Sequence, residues 1–189
     1  MRIHILGAGM LGRLIIDIIE SQPGLVVGGV YDDGYPDIND VYGYPIVGKL
    51  DAIDRQPAAS LAIAIGEPKW RKKLYEEKKS RGFELPALIH RSVTLSNHCT
   101  VEPGVIIGPN SSVLAGSVVG RGSCILSHVN INQDVTIHPY SLIGAGVIIG
   151  NNAILGEGCH VGLASHVERG QNIKPWSYHR CPEGGGRHA

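Results

Sequence analysis

The second half of the chain repeats a hydrophobic position every six residues. Every sixth residue from Ile89 to Ile173 is aliphatic, with no break in the series. The fifth place of each hexad holds a small or β-branched residue, with Gln171 as the one exception. Neither a helix, with a period of about 3.6 residues, nor a strand, with a period of two, maintains such a register. The pattern therefore indicates a repeat architecture.

This register predicts a parallel β-helix with three short faces. The aliphatic residue of each hexad points inward, the fifth residue fills the space beside a corner, and Gly or Asn accommodates the turn. Three hexads form a coil of 18 residues, so residues 89–178 form five coils. Coils stacked on one another leave no room inside for large aromatic side chains, and the chain has only 7 Tyr, 2 Trp and 1 Phe. A β-sandwich would instead alternate with period two and turn roughly every 8–12 residues.

The first 87 residues alternate between strand and helix patterns. We predict strands at residues 2–6, 25–31, 60–66 and 85–89, and helices at residues 11–21 and 67–81. Such alternation builds a parallel sheet whose carboxyl edge faces ligands. The predicted fold class is therefore α/β plus all-β. A small Rossmann-like parallel α/β unit (residues 1–87) precedes a parallel β-helix (residues 88–178), and the Gly-rich residues 179–189 form a flexible tail.

Three glycines follow the first predicted strand with the spacing of a phosphate-binding turn. Gly7, Gly9 and Gly12 lie where a strand passes into a helix, so that backbone N–H groups can approach a phosphate. Asp32 and Asp33, about 20 residues further on, could accept hydrogen bonds from ribose hydroxyls. A tight turn without a ligand and an ordinary acidic turn are the alternatives. The unit is too short for a six-stranded dinucleotide fold, so we expect it to bind one nucleotide.

The charge balance disfavours two classes of partner. Lys and Arg together number 17, as do Asp and Glu, so the formal net charge is zero. A nucleic-acid binder needs a basic face, and an electrostatic membrane anchor needs a polybasic segment. No apolar run approaches the ~20 residues of a membrane span, and the first residues lack the apolar segment of a signal peptide. We therefore expect a soluble cytoplasmic protein without nucleic-acid or membrane partners.

The cysteines and the most basic segment have plain structural interpretations. Cys99, Cys124, Cys159 and Cys181 stand far apart without a Cys-x-x-Cys pair, so we predict neither a metal site nor a disulfide framework. The basic run at residues 69–73 is followed at helical spacing by two glutamates. We interpret it as a solvated helix face with salt bridges along it.

An α/β unit followed by hexapeptide repeats resembles the sugar O-acyltransferase family of sialic-acid O-acetyltransferases and UDP-4-amino-sugar N-acetyltransferases. The segments that carry the resemblance are residues 3–12, the pair Asp32-Asp33, residues 62–66 with 71–75, and residues 88–93. The resemblance implies a left-handed β-helix. It also implies a homotrimer that binds acetyl-CoA, the co-substrate, between neighbouring subunits.

The resemblance also implies which residues bind the two substrates. The nucleotide-sugar positions of the family fall on Gly9, Met10, Leu11, Asp32, Asp33 and Gly66. The acetyl-CoA positions fall on Leu142, Gly144, Gly146, Gly162 and Leu163. Two of these depart from the family pattern, because family members often have His at the position of Leu11 and a second His at the position of Leu142.

The catalytic base is the main departure. Acyl transfer from a thioester to an amine or hydroxyl needs a base of near-neutral pKa, commonly His. The family's pair of a His and an acidic residue falls on Gln133 and Asp134, and the amide of Gln133 cannot accept a proton. His128 and His138 flank this pair, but successive corners of one coil lie about 10 Å or more apart. Only corners of different subunits could bring them together, and we rank His128 first.

Four functions are compatible with the sequence. The first is N-acetylation of a nucleotide-linked amino sugar by acetyl-CoA, in glycan or surface-polysaccharide biosynthesis. The second is O-acetylation of a sialic-acid-type sugar, and the third is a catalytically silent module that binds nucleotide sugar, which Gln133 favours. An NAD-dependent oxidoreductase, suggested by the glycine loop alone, is the fourth. We treat His98, His160 and His166 as structural and expect Trp176 to cap the open end of the β-helix.

Overall fold

A five-stranded sheet forms the centre of the first domain in the computed structural model, which describes residues 1–56 and 58–180. The strands lie in the order β3-β4-β2-β1-β5, and all neighbours are parallel except β3 and β4. The elements are β1 (Arg2–Leu6), α1 (Met10–Ser21), β2 (Val26–Tyr31), β3 (Asp40–Val41), β4 (Tyr44–Gly48), a 3-10 helix (Leu50–Arg55), β5 (Ser60–Ile63) and α2 (Pro68–Ser80).

The predicted elements are present, with three differences. The strand predicted at residues 85–89 is only Leu88–Ile89, and it pairs with Ile106–Ile107 of the second domain. The third predicted strand ends at Ile63, three residues before Gly66, because the chain leaves the sheet there to form the loop before α2. The segment between β2 and β5 adds β3, β4 and the 3-10 helix, which the sequence did not indicate. Their hydrophobic runs are too short to show a period.

The second domain has the predicted 18-residue coil. Each strand pairs in parallel with the strand 18 residues later, as Ser112 does with Asn130, and this produces three sheets. Face 1 contains Leu88–Ile89, Ile106–Ile107, Cys124–Ile125, Leu142–Ile143, His160–Val161 and Tyr178–His179. Face 2 contains Thr94–Leu95, Ser112–Val113, Asn130–Ile131, Ile148–Ile149 and His166–Val167. Face 3 contains Thr100–Val101, Val118–Val119, Thr136–Ile137, Ile154–Leu155 and Asn172–Ile173.

The interior of this β-helix is the predicted aliphatic ladder. The hexad residues from Ile107 to Val161 are 0% exposed. In the first coil, Leu95 is 37% exposed because no earlier coil covers it. Four buried serines at the fifth place, Ser111, Ser117, Ser123 and Ser141, donate to main-chain carbonyls of the next coil, as when the Ser117 hydroxyl donates to the Asn132 carbonyl at 2.6 Å.

The corners share one backbone conformation. Corner 1 follows face 1, corner 2 follows face 2, and corner 3 follows face 3. The third residue after each inward aliphatic residue, from Gly104 to Trp176, has a left-handed backbone. This conformation favours Gly and Asn and costs other residues about 1–2 kcal/mol. Four positions nevertheless hold a residue other than Gly, Asn or Asp: His128, Tyr140, Ala164 and Trp176.

The two domains pack against each other through face 1. The outward residues Leu88, Ile106 and Cys124 are buried in one cluster with the apolar side of α1, including Ile15 and Ile19. Helix α2 lies against corner 3, where Tyr75 and Tyr140 pack edge to face with ring centres 5.5 Å apart.

The solvated face predicted on α2 is present only in part, since Lys69 and Lys73 are exposed but Arg71 and Lys72 contact the β-helix. Arg71 is only 1% exposed, and Lys72 pairs with Glu157 of corner 3 at 2.6 Å instead of with Glu76 on its own helix. The physical reason is that α2 lies in the domain junction, where these cations reach groups on the β-helix.

The end of the chain differs from expectation in two respects. Trp176 does not cap the β-helix, since it packs over Gly158 at corner 3 and a further strand, Tyr178–His179, follows it. The predicted tail began at residue 179, whereas His179 is in that strand. Residues 181–189 lie outside the described residues. No helix in the described part of the chain is long and apolar enough to cross a membrane.

Candidate active site

A cleft of about 270 Å³ lies where the glycine loop faces corner 1 of the β-helix. One wall comes from the α/β domain and the other from face 1 and corner 1. The lining residues are Met10, Leu11, Leu14 and Gly66 on the first wall and Leu126, Ser127, Leu142 and Ala145 on the second. The cleft therefore joins Met10, Leu11 and Gly66, predicted for nucleotide-sugar binding, to Leu142, predicted for acetyl-CoA binding.

The glycines of the loop have different roles. Gly7 has a φ of +115°, and a Cβ at Gly12 would lie 2.2 Å from the Gly7 carbonyl oxygen, so these two are required by the tight turn. Gly9 has no atom within 4 Å of the position that its Cβ would occupy. It is the N-cap of α1, and no side chain caps this end of the helix. Open space beside uncapped N–H groups suits an anion such as phosphate.

The two aspartates accept hydrogen bonds from main-chain N–H groups. Asp32 accepts a hydrogen bond from the Ala8 N–H at 2.7 Å and one from the Gly34 N–H at 2.8 Å. It thereby ties the end of β2 to the glycine loop. Asp33 accepts from the Leu50 N–H at 3.1 Å. Asp33 is exposed and borders a second cavity of about 310 Å³, which Trp70 also lines.

The candidate bases lie on three different corners, as predicted. His128 is at corner 1, Gln133 and Asp134 are at corner 2, and His138 is at corner 3. Within one subunit the structure does not bring them together. Of the three corners, corner 1 is the one that lines the cleft, because Ser127, which precedes His128, forms part of its wall.

His128 and Gln133 also differ in their contacts. His128 is exposed, and its Nε2 lies 3.4 Å from the side-chain amide nitrogen of Asn110. The Gln133 side-chain carbonyl accepts a hydrogen bond from the Asn151 amide at 2.6 Å. Asp134 lies against Gly116 of the previous coil, where a Cβ would be 2.0 Å from its carboxylate oxygen. Gln133 and Asp134 therefore make contacts within corner 2.

The positions predicted for acetyl-CoA follow corner 1 away from the cleft. Leu142 lines the cleft, and Gly162 and Leu163 line a further cavity of about 360 Å³. Leu163 is 69% exposed. Gly144 has a packing role, because a Cβ there would lie 2.7 Å from the Leu163 nitrogen.

Two backbone N–H groups on the β-helix wall of the cleft have no acceptor. Those of Ser127 and Ala145 donate to no atom of the described residues. Their hexad position, the second after the inward residue, holds proline at Pro103, Pro109, Pro139 and Pro175. An N–H at this position is therefore dispensable for the fold, and at Ala145 it is available for a ligand.

His160 is a functional candidate that the sequence reasoning missed. It is half-buried on face 1, one coil after Leu142, and its ring lies edge-on to Tyr178 at 4.9 Å. Burial, and to a smaller extent the charge of Arg71, lower its pKa below 6.5, so the imidazole is neutral at pH 7. It lines the 360 Å³ cavity. Its spacing of 18 residues from Leu142, a position already marked by the resemblance, was the signal that could have found it.

The side chains of the described residues that could bind a metal ion are not grouped. Among residues 1–56 and 58–180, no three His, Cys, Asp or Glu side chains form a group that could hold a metal ion. Cys99, Cys124 and Cys159 are free thiols. Burial raises the pKa of Cys124 and Cys159 above the usual value.

Family models match both domains. Residues 2–78 match the PglD N-terminal domain, and residues 83–173 match the GMPPB C-terminal domain. The first match includes residues 3–12 and 62–66, two of the segments that carry the resemblance.

Solved structures with the same two-domain arrangement exist. Perosamine N-acetyltransferase from Caulobacter crescentus, a mutant in complex with CoA and GDP-perosamine, has a TM-score of 0.89 at 23% identity. The match covers 96% of this chain and 86% of that chain. The acetyltransferase domain of PglB from Neisseria gonorrhoeae FA1090, in complex with acetyl coenzyme A, has a TM-score of 0.77 at 20% identity, covering 95% and 96% of the two chains. These matches confirm the predicted fold class, a Rossmann-like unit followed by a left-handed β-helix.

Proposed function

We propose that this chain, a left-handed hexapeptide-repeat β-helix with a PglD-type N-terminal domain, is an acetyl-CoA-dependent acetyltransferase. Its acceptor is the amino group of a nucleotide-linked sugar, and its product serves glycan or surface-polysaccharide biosynthesis in the cytoplasm. One observation carries the proposal: a single cleft joins the glycine loop, through Met10 and Leu11, and the loop after β5, through Gly66, to corner 1, through Ser127 and Ala145. Proteins with the same fold hold CoA and GDP-perosamine, which supports this pair of substrates.

The nucleotide sugar occupies the α/β side of the cleft. Its phosphates lie at Gly9 and the uncapped start of α1, where N–H groups and the helix dipole favour negative charge. Its ribose lies beside Asp32 and Asp33, and its base enters the cavity that Trp70 lines. The sugar then extends past Leu11 and Gly66 toward corner 1.

Acetyl-CoA occupies the β-helix side. The pantetheine arm follows corner 1 along Gly146, Gly162 and Leu163, and the acetyl group lies beside Leu142. As the amine attacks the thioester carbonyl, negative charge develops on the carbonyl oxygen. The unpaired N–H of Ala145 donates to that oxygen, and such preorganised donors stabilise the transition state.

His128 is the general base. It takes the proton that the amine loses on attack, so that the new C–N bond forms as the C–S bond breaks. The imidazolium then protonates the departing CoA thiolate, which closes the proton balance. Because His128 takes this role, Gln133 does not by itself make the protein catalytically silent.

We further propose that the protein is a homotrimer. Ile148 on face 2 and Ile154 on face 3 are 54% and 43% exposed, and a threefold contact would cover exposed aliphatic residues of this kind. Light scattering at micromolar concentration tests the assembly, and a monomer would contradict it.

The function is tested by mixing the purified protein with acetyl-CoA and a panel of UDP- and GDP-linked amino sugars. We expect CoA thiol release that depends on the amino sugar, and a product heavier by one acetyl group on nitrogen. Release with a hydroxyl acceptor, giving a hydroxylamine-labile ester, would favour the O-acetyltransferase. Tight nucleotide-sugar binding without CoA release would favour the silent module. Thermal stabilisation by NAD and not by acetyl-CoA would favour the oxidoreductase.

A further inference from the structure

Arg71 is a buried cation that connects the two domains. Its side chain is 1% exposed, and none of the described carboxylates forms an ion pair with it. Every hydrogen bond it makes goes to a main-chain carbonyl. The acceptors are Ile65 (2.8 Å), Gly66 (2.8 Å), Gly122 (2.8 Å), Tyr140 (2.6 Å) and Ser141 (3.1 Å).

These acceptors belong to both walls of the cleft. Ile65 and Gly66 form the loop after β5, and Gly66 itself lines the cleft. Tyr140 and Ser141 end corner 3 directly before Leu142, which lines the opposite wall. One planar guanidinium therefore spans the main chains of the two walls at the base of the cleft.

The chemistry of the side chain explains why arginine is needed here. Burying a charge without a carboxylate is costly unless its hydrogen bonds are all made. A guanidinium offers five N–H donors in a rigid fork, whereas a lysine offers three donors on a flexible stem. Arg71 directs donors to both walls in fixed directions, and a lysine at this position would hold one wall more firmly than the other.

We propose that Arg71 is a positioning residue that sets the separation of the acceptor wall and the thioester wall. The proposal rests on the function given above. Each substrate binds to its own wall and neither touches the buried Arg71 side chain, so a change at Arg71 acts on the distance between the reacting groups. A misplacement of about 1 Å between reactants lowers the rate by about 100-fold.

Tyr75 provides the matched control. It is 4% exposed, lies in the same junction on the same helix, and packs against Tyr140. Its hydroxyl donates to the Pro103 carbonyl at 3.4 Å, away from the cleft. Tyr75→Leu therefore weakens the junction without touching a carbonyl of either cleft wall.

The test compares Arg71→Lys with Tyr75→Leu in steady-state kinetics and thermal unfolding. We expect both variants to melt earlier. Arg71→Lys should lower kcat by about 10- to 100-fold with both KM values within about threefold of wild type. Tyr75→Leu should retain kcat within about twofold. Unchanged kcat in Arg71→Lys, or an equal loss of kcat in Tyr75→Leu, would overturn the proposal.

A second readout does not depend on catalysis, so it separates this proposal from the proposed function. Spin labels at positions 10 and 163, where Met10 and Leu163 are 87% and 69% exposed, report the distance across the cleft. In a background without other accessible cysteines, Arg71→Lys should shift or broaden this distance distribution and Tyr75→Leu should not. Identical distributions in the wild type and Arg71→Lys would refute the positioning role even if the protein releases no CoA.

Discussion

Corner 1 and corner 3 of the β-helix follow the same hexad pattern but have different roles. Corner 3 packs against helix α2, whereas corner 1 lines the cleft. Both place a left-handed residue at the same point of every coil from the second onward. At corner 3 these residues are glycines and, at two positions after a glycine, a large aromatic, and helix α2 covers them. The corner 3 series is Gly104, Gly122, Tyr140, Gly158 and Trp176, whereas the corner 1 series is Asn110, His128, Gly146 and Ala164.

The alternation at corner 3 has a steric reason. Each aromatic ring lies over the glycine of the preceding coil, so a Cβ at Gly122 would be 2.8 Å from the Tyr140 ring and one at Gly158 would be 2.2 Å from Trp176. Lys72 of α2 then lies over both rings, at 5.6 Å from the centre of Tyr140 and 5.5 Å from that of Trp176. The two rings therefore fill corner 3, and helix α2 packs onto it.

Corner 1 lacks such rings and remains open. A Cβ at Gly146 would come no closer than 3.8 Å to Ala164. The inward ladder is the same at both corners, so it determines the fold only. The residues with a left-handed backbone and the outward-facing residues determine the role of a corner. They decide whether it packs against the α/β domain or stays open as part of a ligand cleft.

The largest expected effect separates the histidines of these two corners. His128→Gln at corner 1 should lower kcat by about 10²- to 10⁴-fold, because it removes the proton acceptor. His138→Gln at corner 3 is the control and should keep kcat near the wild-type value. Both side chains are exposed, so neither change should alter the melting temperature. The ranking of bases is wrong if the His138 variant loses activity and the His128 variant does not.

The second-largest expected effect is the loss of activity on removing the main-chain N–H of Ala145. Ala145→Pro removes it at a hexad position where the fold already accepts proline, as at Pro109, and kcat should fall by about 10²- to 10³-fold. Ala115→Pro is the matched control, since Ala115 has the same hexad position at corner 2 and is also followed by a left-handed glycine. Its kcat should not change. Equal activity of the two proline variants, both folded, would remove the oxyanion role of Ala145.

A stability comparison tests the steric argument directly. Gly158→Ala at corner 3 should lower the free energy of unfolding by about 2–3 kcal/mol, because the new Cβ meets Trp176 as well as requiring a left-handed alanine. Gly146→Ala at corner 1 should cost only about 1 kcal/mol, since it meets nothing closely. Chemical denaturation measures both. Equal losses at the two sites would mean that the aromatic-over-glycine packing does not stabilise corner 3.

The smallest effect lies outside both corners. His4 in β1 is 6% exposed, and its Nδ1 has no hydrogen-bond partner. Burial, and then the charge of Arg2, lower its pKa below 6.5. The folded state therefore binds fewer protons than the unfolded state below this pH, so stability is complete above about pH 6.5 and falls as the pH drops through the folded-state pKa.

Unfolding at pH 7.5 and at pH 5.5 measures this effect. The wild type should be less stable at the lower pH, and His4→Leu should show a smaller difference between the two. His160 acts in the same direction in both proteins, so their comparison isolates His4. An unchanged pH dependence in His4→Leu would contradict the assignment.

The sequence predicted the parts of the fold that depend on local pattern. The hexad series from Ile107 to Val161 gave the coil length, the buried ladder and the three faces, because each coil contacts only its neighbours. The strand β1, the glycine loop and α1 were also predicted within a residue or two, since strand, turn and amphipathic helix follow one another directly.

The contacts between distant segments could not be predicted in this way. Arg71 looked like part of a solvated basic run, because nothing near it in the chain shows that its acceptors lie at Gly122 and Tyr140. Corner 1 is uncovered because α1 and α2 pack elsewhere on the β-helix, and the hexad pattern does not predict where these helices pack. The same limit left His160 classed as structural, although its distance from Leu142 in the chain placed it on the same outward ladder.

A structure of the protein with CoA and a nucleotide-linked amino sugar bound tests the central claim most directly. We predict the phosphates at Gly9, the sugar amine in the cleft within hydrogen-bond reach of His128, directly or through one water, and the CoA thiol beside Leu142 and Ala145. Ligands bound at corner 2 or corner 3, or an amine that neither contacts His128 nor approaches corner 1, would contradict the account.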